Sequence, residues 1–114
     1  MTVFTEGLHP TEFILTDEGS YSRDQVVLAA SAGALVPGTV MGKVTATGKW
    51  LPYSDAATDG TQTATGILEY GAQDLTTDQK VVVITRATEV IGSLLTGLDA
   101  NATADLLAAG IVVR

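Results

Sequence analysis

The sequence predicts a mostly β fold: a small β-barrel or open-sheet domain with a short C-terminal helix and an extended N-terminal arm. Three observations carry this expectation. Ala, Val, Thr and Gly dominate while aromatics make up 5% of the 114 residues, and Val and Thr favour extended backbone. Short apolar runs recur between turn residues with little helical period. Only the stretch 98–110 gathers good helix formers ahead of a capping Gly. A chain of this length is most economically one small domain with a thin margin of stability, so oligomerisation or docking on a partner would be no surprise.

The first zone, residues 1–24, holds five acidic residues against one basic residue. Its apolar residues Phe4, Leu8, Phe13, Ile14 and Leu15 look exposed in so polar a setting, although "EFIL" is a compact extended cluster. From the residues alone it is either a frayed terminus or an arm that orders on a partner by adding a strand to its sheet.

The second zone, 25–91, reads as strands and turns. "QVVLAASA" (25–32) opens it, and "ALVPGTVMGKVTA" (34–46) follows with Pro37-Gly38 as turn residues. "GKVTA", a Thr47-Gly48 turn and "KWLPY" make a plausible hairpin, with Pro52 at an edge or strand end because it has no amide hydrogen for a ladder. Trp50 is expected in the core. Asp59-Gly60 is a turn, since Gly supplies the positive φ that tight turns demand, and "ATDGTQTATGIL" (57–68) reads as a hairpin-like connection into a core strand. Gly66 inside that strand marks a bulge or a close backbone approach. "VVVITRATEVI" (81–91) is the strongest strand in the chain. In the third zone, Asp99 or Asn101 offers an N-cap, Gly110 a C-terminal cap, and "IVVR" a closing strand.

The net charge is −7 and the six basic residues are scattered, which argues against binding nucleic acid or an anionic membrane surface. There is no cysteine, so disulfides and thiolate metal sites are excluded. No positively charged start leads into an apolar run, and no apolar run is long enough to span a bilayer; a soluble protein made in a cytoplasm is expected. Catalytic signatures are missing as well. His9 has no orienting partner nearby, the serines have no adjacent base motif, and Asp55, Asp59, Asp74 and Asp78 lack the alternating ligands of a calcium loop. No cofactor is expected.

Taken together, "HPTEFILTDEGSYSRDQVVL", "LVPGTVMGKVTATGKWLPYSDAATDGTQTATGIL", "VVVITRATEVI" and "LLAAGIVVR" resemble the head decoration proteins of tailed bacteriophages, the lambda-like capsid-stabilising family. The middle block is the specific part. The resemblance implies a non-enzymatic virion protein on the outer surface of the capsid, synthesised in the host bacterial cytoplasm. It implies a homotrimer at three-fold sites of the expanded shell, holding the major capsid protein against the pressure of packaged DNA. It also implies that residues 1–24 form a flexible capsid-binding arm and 25–114 the decoration domain. The arm would contact the capsid through Thr11, Glu12, Phe13, Ile14, Leu15 and Thr16, with Phe13 and Leu15 filling pockets. Ordering a free arm costs roughly 1–2 kcal/mol per residue in backbone entropy, so one arm binds weakly. Three arms on one trimer can raise affinity by about 10²–10⁴-fold. The alternative is a small β-barrel accessory domain binding a carbohydrate or host surface; the shortage of aromatics weighs against it.

Overall fold

The computed structural model describes residues 12–114, so Phe4, Leu8, His9 and Thr11 lie outside the described part. The chain forms β1 (Ile14–Thr16), a 3-10 turn at Gly19–Ser22, β2 (Arg23–Leu28), β3 (Val40–Lys43) and β4 (Trp50–Pro52). It continues through β5 (Ala64–Leu68), β6 (Gln79–Ile84), β7 (Thr88–Val90), a 3-10 turn at Gly92–Leu94, α1 (Ala100–Ala108) and β8 (Ile111–Val113). Five strands close a barrel in the order β2-β4-β3-β5-β6, and the remaining three form a small sheet ordered β1-β7-β8.

Alternation along the barrel strands explains the packing. Each strand gives a buried side chain to the barrel interior, Leu28, Met41, Trp50, Leu68 and Val83, and Val26 and Val81 pack against them. Their neighbours Val40, Ile67 and Ile84 point to the opposite face, as successive strand residues must. There they pack with Phe13, Val90, Ile111 and the α1 residues Ala102 and Leu106. Both faces of these strands are therefore buried in part, which is why "GIL" and "VVVI" are continuous apolar runs rather than apolar–polar alternations.

The β3–β4 hairpin forms around Gly48, with Met41 opposite Pro52 and Lys43 opposite Trp50. Pro52 ends its strand, and Trp50 is a core residue. Gly66 fulfils both readings of it. The β3–β5 register slips between Met41 and Gly42, and a Cβ on Gly66 would sit 2.9 Å from the Ile84 carbonyl oxygen and 3.2 Å from the Trp50 ring. In α1, Asp99 is the N-cap, its side chain accepting from the Ala102 amide, and Gly110 has φ +94°. The Asp105 carboxylate accepts the Ala64 amide and ties the helix to β5.

Two expectations are corrected. The run 81–91 is two strands in different sheets, because the chain turns a corner at 85–87 with Ala87 at φ +53°. Buried Ser22 holds that corner by donating its Oγ hydrogen to the Ala87 carbonyl. The connection 53–63 is not a hairpin, since β4 and β5 lie on opposite sides of β3 and the loop crosses over the end of that strand. Two close approaches seat the loop. A Cβ on Gly42 would lie 2.7 Å from Thr61 Cα, and one on Gly60 would lie 2.5 Å from the Lys43 carbonyl oxygen. Residues 13–24 hold Phe13 of the core, β1, the first 3-10 turn and the first two residues of β2.

Candidate partner-binding edge

The arm segment can now be read residue by residue. Glu12 is exposed in a turn, and Phe13 is 1% exposed, packed among Val40, Ile84, Val90 and Leu106. Phe13 therefore fills this protein's own core instead of a partner's pocket, because the small sheet needs an apolar plug where it meets the barrel. Ile14 is half-buried, while Leu15 is 49% exposed and Thr16 is exposed. β1 runs antiparallel to β7 with Ile14 opposite Val90 and Thr16 opposite Glu89, and a register shift between them bends the strand. Among the described residues β1 has a strand on one side only, so its outer edge is open.

Charged clasps hold this edge to the barrel. The Arg23 guanidinium bonds Glu69 at 2.7 Å, Asp17 at 2.9 Å and the Gly19 carbonyl at 2.9 Å. Glu69 is buried, so Arg23 is what makes its charge tolerable there. Arg86 bonds Asp24 at 2.6 Å and stacks over the exposed ring of Tyr21, 5.4 Å from its centroid. Arg114 at the end of β8 pairs with Glu89 at 2.8 Å, and Thr16 donates to the same carboxylate at 3.4 Å. These long-range pairs are absent from local sequence patterns, since Arg23 and Glu69 lie 46 positions apart.

Three carboxylates in these clasps are held below the ordinary range. Asp17 is lowered first by the Gly19 amide and then by Arg23, Asp24 by Arg86, and Glu89 by Arg114. Away from the edge, Asp59 is lowered by the Thr61 hydroxyl and Asp78 by Lys49. A carboxyl that loses its proton more readily when folded stabilises the fold above its unfolded pKa, and that contribution fades as pH falls through the folded value. The midpoint of thermal unfolding is expected to be flat from neutrality down to about pH 5 and to fall below about pH 4, where the unfolded carboxyls take up protons first. A midpoint that stays level down to about pH 2 would contradict this.

Another polar cluster is structural. The Tyr53 hydroxyl donates to the Asp99 and Asp55 carboxylates, and Asn101 donates to Asp55. Burial and the Asp99 contact push the Tyr53 phenol well above its ordinary value, so it stays protonated and braces the helix N-terminus. Among the described residues no group of His, Asp and Glu is arranged to hold a metal ion, and no helix is long and apolar enough to cross a membrane.

The sequence model of the family described as "Bacteriophage lambda head decoration protein D" matches residues 3–112. The chain belongs to that family. The match takes in the barrel, α1 and all of the small sheet but the last residue of β8. A search of curated proteins finds no match. Decoration proteins of this family are structural parts of the phage head, so this head decoration protein acts by binding at the capsid. The surfaces that matter in it are those that meet other proteins, and β1 is the first candidate.

Proposed function

We propose that this head decoration protein binds as a trimer at three-fold sites on the outside of the expanded shell and stabilises it against the pressure of packaged DNA. Its partners are then the major capsid protein and two further copies of itself, assembled after synthesis in the host cytoplasm. The observation that carries the reading is the outer edge of β1, which has no strand beside it among the described residues, with Leu15 exposed there. An extended segment of a capsid subunit can add to such an edge, main-chain bonds supplying affinity and side chains supplying specificity.

Within residues 11–16 the roles then divide. Phe13 and Ile14 root the strand in the body, while Leu15 and Thr16 face the partner. Because Ile14–Thr16 are already part of a sheet, their ordering cost of about 1–2 kcal/mol per residue falls in folding rather than in docking.

Leu15→Asp tests this edge. Burying a Leu side chain is worth about 1.5–3 kcal/mol, so the variant is expected to load expanded shells about ten- to hundredfold more weakly per contact. Its unfolding free energy should stay within about 0.5 kcal/mol of the native chain, since the residue is exposed. Unchanged loading in a shell-binding titration would place the capsid contact elsewhere.

A further inference from the structure

Asp59 is the only aspartate in the chain followed by glycine, which makes this pair the one best suited to close a ring on itself. Gly60 has no Cβ, so nothing beside its amide nitrogen hinders attack on the Asp59 side chain. In that attack the nitrogen bonds to Asp59 Cγ and gives up its proton, a carboxyl C–O bond breaks, and water leaves. The product is a cyclic succinimide. Water then returns to either of its carbonyls. Addition at Cγ restores Asp59, whereas addition at the main-chain carbon leaves isoaspartate, whose backbone runs through Cβ. The net change is an isomerisation that needs no oxidant, reductant or enzyme.

The fold restrains each group that must react. The Gly60 amide donates to Gln62 Oε1 at 2.8 Å, and across the same peptide the Asp59 carbonyl accepts the Thr45 amide at 2.9 Å. That peptide plane is therefore pinned from both edges. Asp59 Oδ1 accepts from the Thr61 amide at 3.0 Å and from the Thr61 hydroxyl at 2.6 Å. Both bonds favour the carboxylate over the neutral acid, and an ionised carboxylate has no hydroxyl to lose as water. Thr61 is itself buried, its backbone so close to Gly42 that a Cβ there would collide with it. The Asp59 residue is exposed, so these hydrogen bonds, and not exclusion of water, are what withhold the reaction.

We propose that Asp59-Gly60 is a site of spontaneous backbone modification, silent while Thr45, Thr61 and Gln62 hold it and reactive once the loop opens. The consequence runs one way. Isoaspartate adds a methylene to the main chain where the loop has no slack: a Cβ on Gly60 would already lie 2.5 Å from the Lys43 carbonyl oxygen and 2.8 Å from the Thr45 amide nitrogen. A modified chain cannot reseat the loop against β3. Chains that linger unfolded are thus withdrawn from the pool that can fold, whereas folded chains are protected. The proposal is independent of how the chain meets a shell.

The test ages the full-length native chain, Gln62→Ala and Thr61→Val, all folded, at neutral pH, beside native chain held unfolded in guanidinium chloride. Isoaspartate at position 59 is counted by peptide mapping and by enzymatic methylation of isoaspartyl carboxyls. The unfolded native chain is expected to gain it about a hundredfold faster than the folded one. Folded Gln62→Ala, which frees the Gly60 amide, should gain it about three- to tenfold faster than the folded native chain. Folded Thr61→Val, which strips a donor from the carboxylate, should gain it about tenfold faster. Gln62 is exposed and its variant keeps the native thermal midpoint, so it decides the matter if Thr61→Val loosens the fold. On dilution from denaturant, isoaspartyl chains should stay unfolded while Asp59 chains refold. Equal rates in folded and unfolded native chain, a native rate in folded Gln62→Ala, or isoaspartyl chains that refold to the native midpoint would each overturn the proposal.

Discussion

Phe13→Ala is expected to lower the unfolding free energy by about 3–5 kcal/mol, the usual cost of removing a buried aromatic ring from a core. The ring is almost wholly enclosed, and its neighbours come from the barrel (Val40, Ile84), from the small sheet (Val90, Ile111) and from α1 (Leu106). No single element can collapse into the space, so the cavity term is felt in full. For a domain whose total stability is about 5–15 kcal/mol, that is a large fraction. Leu15→Ala, two positions further on and within β1, should change stability by less than about 0.5 kcal/mol. Denaturant titration of the pair separates the two roles. If Phe13→Ala matched the native chain in stability, the ring would not be a core residue, and the account of β1 as a rooted strand would fail.

Gly60→Ala is the second large effect, expected at about 2–6 kcal/mol from left-handed strain and overpacking together. Gly60 has φ +114°, and the added Cβ would collide with the Thr45 side chain and lie 2.8 Å from the Thr45 amide nitrogen. The obstacles include backbone of the segment beyond β3, which cannot swing aside as a long side chain can. The Asp59 carboxylate already fixes the turn by accepting from the Thr61 amide and hydroxyl, and the Thr45 amide donates to the Asp59 carbonyl. Gly33→Ala is the matched comparison, since Gly33 has φ +87° with nothing within 4 Å of its missing Cβ. It should cost only the strain, about 1–2 kcal/mol. Equal losses for the two variants, measured as denaturation midpoints at constant slope, would show that the loop does not press on β3.

Local chemistry made much of this fold legible. Asp99 and Gly110 mark the ends of the helix, Gly48 the hairpin, and Gly66 the tight spot against Trp50, because each signal acts within a few residues. The barrel could be anticipated from short β runs, but not the division into barrel and three-stranded sheet. That division depends on the corner at Ala87, a residue with no turn propensity, held by Ser22 from 65 positions away. The crossing of 53–63 over β3 was illegible for a similar reason. Asp-Gly specifies a turn, while the neighbours of β4 and β5 depend on which strands share a core.

The edge itself was legible in part. "EFIL" was identifiable as an extended apolar segment, yet the sequence could not divide Phe13, which faces inward, from Leu15, which faces outward. Strict alternation would put the two on one face; they part because Phe13 lies in a turn before β1 and the register against β7 shifts between Ile14 and Thr16. The Asp17–Arg23–Glu69 clasp and the Leu35–Ala72 bridge were beyond reach, since both join segments far apart in the chain.

The most direct measurement is co-sedimentation of the purified full-length chain with expanded and unexpanded shells that lack it. Leu15→Asp is the comparison, because it leaves Phe13 in the core and β1 in the sheet. The account predicts saturable binding to expanded shells, three copies per three-fold site, weakened in Leu15→Asp and lacking on unexpanded shells. Failure of the native chain to pellet with expanded shells, under conditions where its fold is intact, would contradict it.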